Sequence, residues 1–453
     1  MRRPLIPVIH MIFSPHVPSP GVSRHPLPKG EGKRNPFFLH PFFGLVLLGI
    51  VLATLHAWQG ITTDEAKYLL NIPYPHPPLA RGIIGFTQWI PGQEILWRVL
   101  LAVALLLAAE LARAFASARE KGATFLLAGL WVLSVAVFVS AGQILLAPIT
   151  AVSMLVFCYW YLKGEDLPAR TRQNDSVGLA DPRYGSSGER VVGWMALLWL
   201  ASLFTAYQAV LFLPVVMAVF WRLKLPRWQR LIALVGPVLL LVLYTAMNPL
   251  AFASMITASG QNLGGGTVFT ALRGVAWLWL LGGSLVLSVL GTIGMFSARR
   301  WPLILSFLFV AGFIFLSFRP YYSILFTPLL LAGLASSPSL MRRTGTILLV
   351  TLVCALVLIP ISFPRFGPSP VPAVYAAVQK AEIPAGATAI IVGPFGHEWQ
   401  YGPYTVRRMI TNPQLLDSAR VAVCLADCPD IRGREGWEQL SGVPVETWVR
   451  PIR

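Results

Sequence analysis

From Phe37 onward the chain alternates between long apolar runs and short polar or basic segments. The longer runs are of the length that crosses a bilayer core. They predict helices over Phe37–Ala57, Glu94–Phe115, Thr124–Ala141, Gln143–Leu162, Leu231–Met247, Ala271–Phe296, Pro302–Phe318, Tyr321–Ala335 and Thr346–Ile361. The run Val191–Leu223 is too long for one ordinary span and is interrupted by Thr205, Tyr207 and Gln208, which predicts two short helices meeting there. About eleven spans result, making an all-α polytopic membrane protein.

Composition agrees with this picture. Hydrophobic residues make up 55% and charged residues 12%, and the mean hydropathy is +0.65. A soluble domain carries about a quarter charged residues. The net charge of +17 would suit a nucleic-acid binder, but its distribution argues against that partner. Basic residues gather in alternate loops: Arg113, Arg119 and Lys121; Arg222, Lys224, Arg227 and Arg230; Arg299 and Arg300; Arg342 and Arg343. The intervening loops hold only Lys67, Arg81, Arg273 and Arg319. By the positive-inside rule the N-terminus is cytoplasmic, the loop 163–190 is a solvated cytoplasmic connection, and the tail is extracytoplasmic. Residues 1–36 read as a disordered basic tail, since Pro7, Pro15, Pro18 and Pro20 interrupt any signal-peptide core.

After the membrane region 37–361, residues 362–453 change character. Ala389–Val392, Val421–Cys424 and Val443–Val449 read as strands and Val374–Lys380 as a helix, predicting a small α/β domain. Cys158 and Cys354 fall in apolar runs and read as small buried hydrophobes. Cys424 and Cys428 are open to a local disulfide if the tail lies outside, and two thiols do not make a zinc site.

Candidate chemistry concentrates in the first outer loop, 59–93. Asp64 and Glu65 are adjacent acids just past the first span; His76-Pro77-Pro78-Leu79 and Arg81 follow. The short apolar stretch Gly82–Ile90 is too brief to cross and suits an interfacial position. A carboxylate at that depth can act as general base toward a hydroxyl, and an arginine can hold a phosphate by paired hydrogen bonds. The bland alternatives are a hydrated acidic surface and a rigid proline turn.

The order Asp64-Glu65-Ala66-Lys67-Tyr68, then His76-Pro77-Pro78-Leu79, then Thr205–Leu211 at the paired short helices, then Arg319-Pro320-Tyr321-Tyr322 with Pro328, resembles the GT-C glycosyltransferases. The likeness is to the family of protein mannosyltransferases and lipid A aminoarabinose transferases, and it covers roughly Phe37–Ala335. The resemblance implies transfer of a sugar from a polyprenyl-phosphate carrier to a glycan, lipid or protein acceptor, at the outer face of a bacterial inner membrane. It implies Asp64 as the catalytic base; Glu65, Tyr68, His76 and Gln143 at the acceptor or substrate; and Arg81, Arg273, Arg319, Tyr321 and Tyr322 around the donor phosphate. The sequence departs from the family at Ser140-Ala141-Gly142-Gln143, where an amide stands in place of an acid. Gln143 can orient a substrate but supplies no charge, which disfavours a divalent metal. A flippase for a lipid-linked substrate and a catalytically inactive assembly partner are the competing readings.

Overall fold

The structure is a computed structural model that describes residues 41–72, 77–116, 121–163, 183–223, 226–249, 267–362, 369–393, 396–400, 403–409, 413–425, 428 and 431–451. The expected N-terminal tail, His76 and most of the 163–190 loop lie outside these residues.

The described chain is mostly helical. Among the described residues, five helices are long and apolar enough to cross a membrane: α1 (Pro41–Gln59), α4 (Gln93–Arg113), α7 (Leu146–Lys163), α10 (Arg227–Met247) and α15 (Thr344–Ser362). A sixth candidate is the pair α11 (Val268–Gly283) and α12 (Val286–Ser297), bent by 98°. Shorter apolar helices fill the remaining expected positions. Among them are α5 (Lys121–Val132) with α6 (Val135–Ser140), α9 (Leu213–Arg222), α13 (Trp301–Leu316) and α14 (Phe326–Ala335). α10 and α15 present rows of exposed Leu, Ile and Val, including Leu239, Leu243, Leu349 and Leu356. Such faces are stable only against lipid or another apolar surface.

Two expected helices are broken, and the breaks brace each other. Ser284 and Leu285 adopt φ of 50° and 64° between α11 and α12. Ser134, between α5 and α6, sends its hydroxyl to the Gly282 carbonyl at 3.0 Å. Thr327 donates to the same carbonyl at 2.7 Å. Ser284 Oγ donates to the Leu133 carbonyl at 2.7 Å and accepts from the Val135 amide at 2.8 Å. The backbone groups freed by each break therefore find partners inside the bundle, as a buried break requires. Beyond the bend, α12 lies against α14 at glycine contacts; a Cβ on Gly294 would stand 2.2 Å from the Gly333 carbonyl oxygen. Only small residues allow that approach.

The expected break at Thr205 is present, but only the second helix is short: α8 (Arg183–Thr205) runs 23 residues and ends there, a 3-10 turn covers Tyr207–Phe212, and α9 follows with Pro214 in its first turn. α8 starts earlier than the sequence suggested, because helix continues through residues 183–190 of the expected loop. The first outer loop is also more ordered than expected, folding into α2 (Thr63–Leu69) and α3 (Pro78–Phe86).

The C-terminal residues form a five-stranded sheet in the order β2-β1-β3-β5-β4. β1 (Thr388–Val392), β2 (Thr405–Met409) and β3 (Val421–Cys424) run parallel; β5 (Thr447–Val449) and β4 (Glu438–Gln439) close it antiparallel. α16 (Val371–Lys380) buries Val374 and Val378 against one face, with Ile391, Val421 and Val423. Cys424 and Cys428 are joined in a disulfide with a Cα separation of 5.9 Å.

Candidate active site

α2 is built by its own sequence. Thr62 Oγ1 accepts from the Glu65 amide, and Glu65 Oε2 accepts from the Thr62 amide at 2.8 Å, a reciprocal capping box. Helical geometry then turns Asp64 and Glu65 about 100° apart, so adjacent acids meet different neighbours.

Glu65 points inward and is 1% exposed. Its Oε1 accepts from Arg98 Nη1 at 2.6 Å and from the Ile144 amide at 2.9 Å; Oε2 accepts from Thr62 and, at 3.2 Å, from Arg98 Nη2. Arg98, on α4 and also 1% exposed, reaches the carbonyls of Gly142 and Gly60, both at 2.9 Å, and Glu94 at 2.8 Å. The carboxylate's acceptor sites are thus filled by protein donors. The sequence suggested Glu65 as a ligand to the acceptor; its surroundings are those of a buried clamp. That clamp joins α2 and α4 to the turn before α7.

Asp64 faces the other way, with its side chain 29% exposed. Lys67 Nζ lies 2.8 Å from Oδ1, and the Tyr321 hydroxyl donates to Oδ2 at 3.1 Å. Tyr321 lies in the 3-10 turn Pro320–Leu325, and its ring stands edge-on to Tyr322 at 4.7 Å. Gln208 donates to the Tyr322 hydroxyl at 3.2 Å, which brings the Thr205–Leu211 segment to the same place. The phenols of Tyr68 and Tyr322 and the guanidinium of Arg319 all lie within electrostatic reach of Tyr321. Tyr68 is buried; burial first, and then the Asp64 carboxylate, hold its hydroxyl well above the ordinary tyrosine range. It stays a neutral donor. A small pocket lies on the far side of Tyr321, lined by Tyr321, Pro320, Trp277, Leu281, Ser140 and Ser362 among others; Asp64 itself does not line it.

Of the residues expected from sequence, the structure therefore brings together Asp64, Tyr68, Arg319, Tyr321 and Tyr322. Gln143 is buried one residue from the Glu65 clamp, and its Oε1 has no hydrogen-bond partner among the described residues. Arg81 is buried in a separate polar group, donating to Asn71 Oδ1 at 2.6 Å and to the Tyr244 hydroxyl at 3.4 Å. Arg273 is exposed on α11. His76 is outside the described residues. Sequence reading missed Lys67, Arg98 and Glu398. The Thr63 hydroxyl is hydrogen-bonded to the carboxylate of Glu398, and the Ser369 amide donates to the Gln59 carbonyl at 2.5 Å. These contacts hold the C-terminal residues against the acidic helix.

A partly exposed carboxylate between an ammonium and a phenol is equipped to accept a proton from a hydroxyl nucleophile. The adjoining guanidinium is equipped to hold an anion.

No protein-family model matches this chain, and no curated protein matches it. Solved structures do. ArnT from Cupriavidus metallidurans bound to undecaprenyl phosphate superposes with a TM-score of 0.57 at 14% identity, over 90% of this chain and 97% of that chain. The same protein in the apo state gives 0.55 at 15% identity, over 90% and 98%. The likeness expected from the sequence is met in the fold that this chain shares with these structures.

Proposed function

We propose that this protein is a membrane glycosyltransferase that takes a sugar from a polyprenyl-phosphate carrier and passes it to an envelope acceptor. The observation that carries the reading is Asp64: a partly exposed carboxylate with its two oxygens on Lys67 and Tyr321, in a chain sharing the fold of a protein solved with undecaprenyl phosphate. Asp64 acts as general base on the acceptor hydroxyl, which attacks the anomeric carbon and inverts it. Arg319, beside Tyr321 and Tyr322, is the leading cation for the donor phosphate; Arg81, engaged with Asn71 and Tyr244, and the exposed Arg273 stand apart from it. In this reading the apolar helices make about eleven spans of a bacterial inner membrane. The N-terminus is cytoplasmic and the sheet domain of residues 362–453 is outside, an orientation the Cys424–Cys428 disulfide supports.

The break between α11 and α12 resembles the broken helices of transporters. Its freed groups are bonded within the bundle rather than offered to a substrate, which favours the interfacial enzyme. Gln143, an amide where the family carries an acid, favours a non-catalytic partner as the second reading. The test is sugar release from a labelled polyprenyl-phosphate donor by lipid-reconstituted protein with a membrane extract as acceptor source. Asp64→Asn is expected to abolish it. Full activity in Asp64→Asn would reject the base assignment, and no activity in the wild type would favour the partner reading.

A further inference from the structure

Lys67 has no part in the roles assigned above, yet it is the cation in contact with the proposed base. Its side chain is 13% exposed and its ammonium stands 2.8 Å from Asp64 Oδ1. Glu65, two residues before it, is already neutralised by Arg98. Asp64 therefore rests as half of an ion pair, with its other oxygen on Tyr321. A base whose oxygens are both engaged has to loosen one contact before it can take a proton.

The chemistry of transfer supplies the reason for that loosening. The acceptor oxygen bonds to the anomeric carbon; the bond from that carbon to the phosphate oxygen breaks, its electron pair staying on the phosphate; the acceptor proton passes to Asp64. A phosphodiester bearing one negative charge leaves as a monoester whose charge approaches two at neutral pH. In the same step Asp64 goes from an anion to a neutral acid. The attraction holding Lys67 to Asp64 disappears as a stronger one develops on the phosphate.

We propose that Lys67 exchanges partners during the reaction, leaving Asp64 for the departing polyprenyl phosphate. This rests on the glycosyltransferase reading above. The side chain is built for such a move, since a point charge on a flexible four-carbon stem can swing while keeping its charge. Arg98 cannot do this, because its guanidinium is fixed by Glu65, Glu94 and two backbone carbonyls. Lys67 is then both the resting counter-ion of Asp64 and the cation that stabilises the leaving group.

The exchange predicts a gain that a merely structural ion pair would not give. In Asp64→Asn the side chain mimics the protonated acid, and the ammonium of Lys67 turns to the phosphate. Undecaprenyl phosphate is titrated into the purified full-length chain in detergent, and binding is read by tryptophan fluorescence. Asp64→Asn is expected to bind roughly three- to tenfold tighter than wild type, the scale of a partly exposed ion pair released. Lys67→Met is expected to weaken binding, and adding Asp64→Asn to it to restore nothing. A damaged fold does not imitate tighter binding, so the result is interpretable even if the variants are less stable. If Asp64→Asn binds no tighter, or tightens equally without Lys67, the exchange is wrong and the glycosyltransferase reading stands. If the wild type itself does not bind undecaprenyl phosphate, that reading falls and the exchange falls with it.

Discussion

The Glu65–Arg98 clamp gives the sharpest quantitative expectation. Arg98→Met keeps most of the side chain's volume but removes a guanidinium that makes five hydrogen bonds, two of them to Glu65. It strands a carboxylate that is 1% exposed. Removing one partner of a buried pair costs about 3–5 kcal/mol, because the remaining charge loses water without compensation. The Gly60 and Gly142 carbonyls lose a donor as well, each at roughly 1–3 kcal/mol if nothing replaces it. Deleting both charges with Arg98→Met/Glu65→Leu removes the stranded carboxylate but not the orphaned backbone groups. The double variant should therefore recover only part of the loss, with a coupling energy of about 1–3 kcal/mol. Reversible unfolding in mixed detergent micelles, followed by tryptophan fluorescence, measures all four corners of the cycle. A change of less than ~0.5 kcal/mol in Arg98→Met, the scale of an ordinary surface substitution, would refute the clamp. So would strict additivity of the two single changes.

Three further outcomes follow from the geometry. Gly142→Ala should destabilise the protein and lower any transfer activity, since Gly142 has φ +100° and a Cβ there would meet Ala53 Cα at 2.8 Å; wild-type thermal stability in the variant would contradict that contact. Glu398→Ala or Thr63→Val should loosen the C-terminal residues from α2, seen as faster limited proteolysis after α15, and unchanged cleavage would argue against the contact. The hydrogen bonds from Arg432 hold the Glu446 carboxyl below its usual range, so its stabilising contribution is complete near neutrality and fades as acid protonates it, below about pH 4. The unfolding curves of wild type and Glu446→Gln should converge on acidification; a constant gap across pH would exclude this origin.

Much of the helical frame was legible because apolar runs of bilayer length have few alternatives. The polar interruption at Thr205–Gln208 announced a break that the structure contains. The breaks at Ser134 and at Ser284 carried no such notice, since serine hides in apolar runs and the partners that stabilise the breaks come from distant elements. In the site, the two acids looked equivalent as neighbours in sequence; only the helix of α2 separates an inward Glu65 from an outward Asp64. Thr62 and Glu65 stand at capping-box spacing, a local signal for that helix. Arg98 was visible too, as an ionisable residue inside an apolar run, which marks a paired or functional position. Glu398 meets Thr63 across 335 residues, and no local pattern announces a pairing of that kind.

The bend at Ser284 and Leu285 also constrains the order of assembly. Positive φ at a leucine is costly on its own, and the hydroxyls that bond the Gly282 carbonyl freed beside it belong to Ser134, between α5 and α6, and to Thr327 of α14. An isolated Val268–Ser297 segment inserted into lipid has neither, so its cheapest state is a straighter rod with its own carbonyls satisfied. The corner is acquired when α6 and α14 dock. The segment is thus a late-setting joint whose shape reports completed packing rather than local sequence.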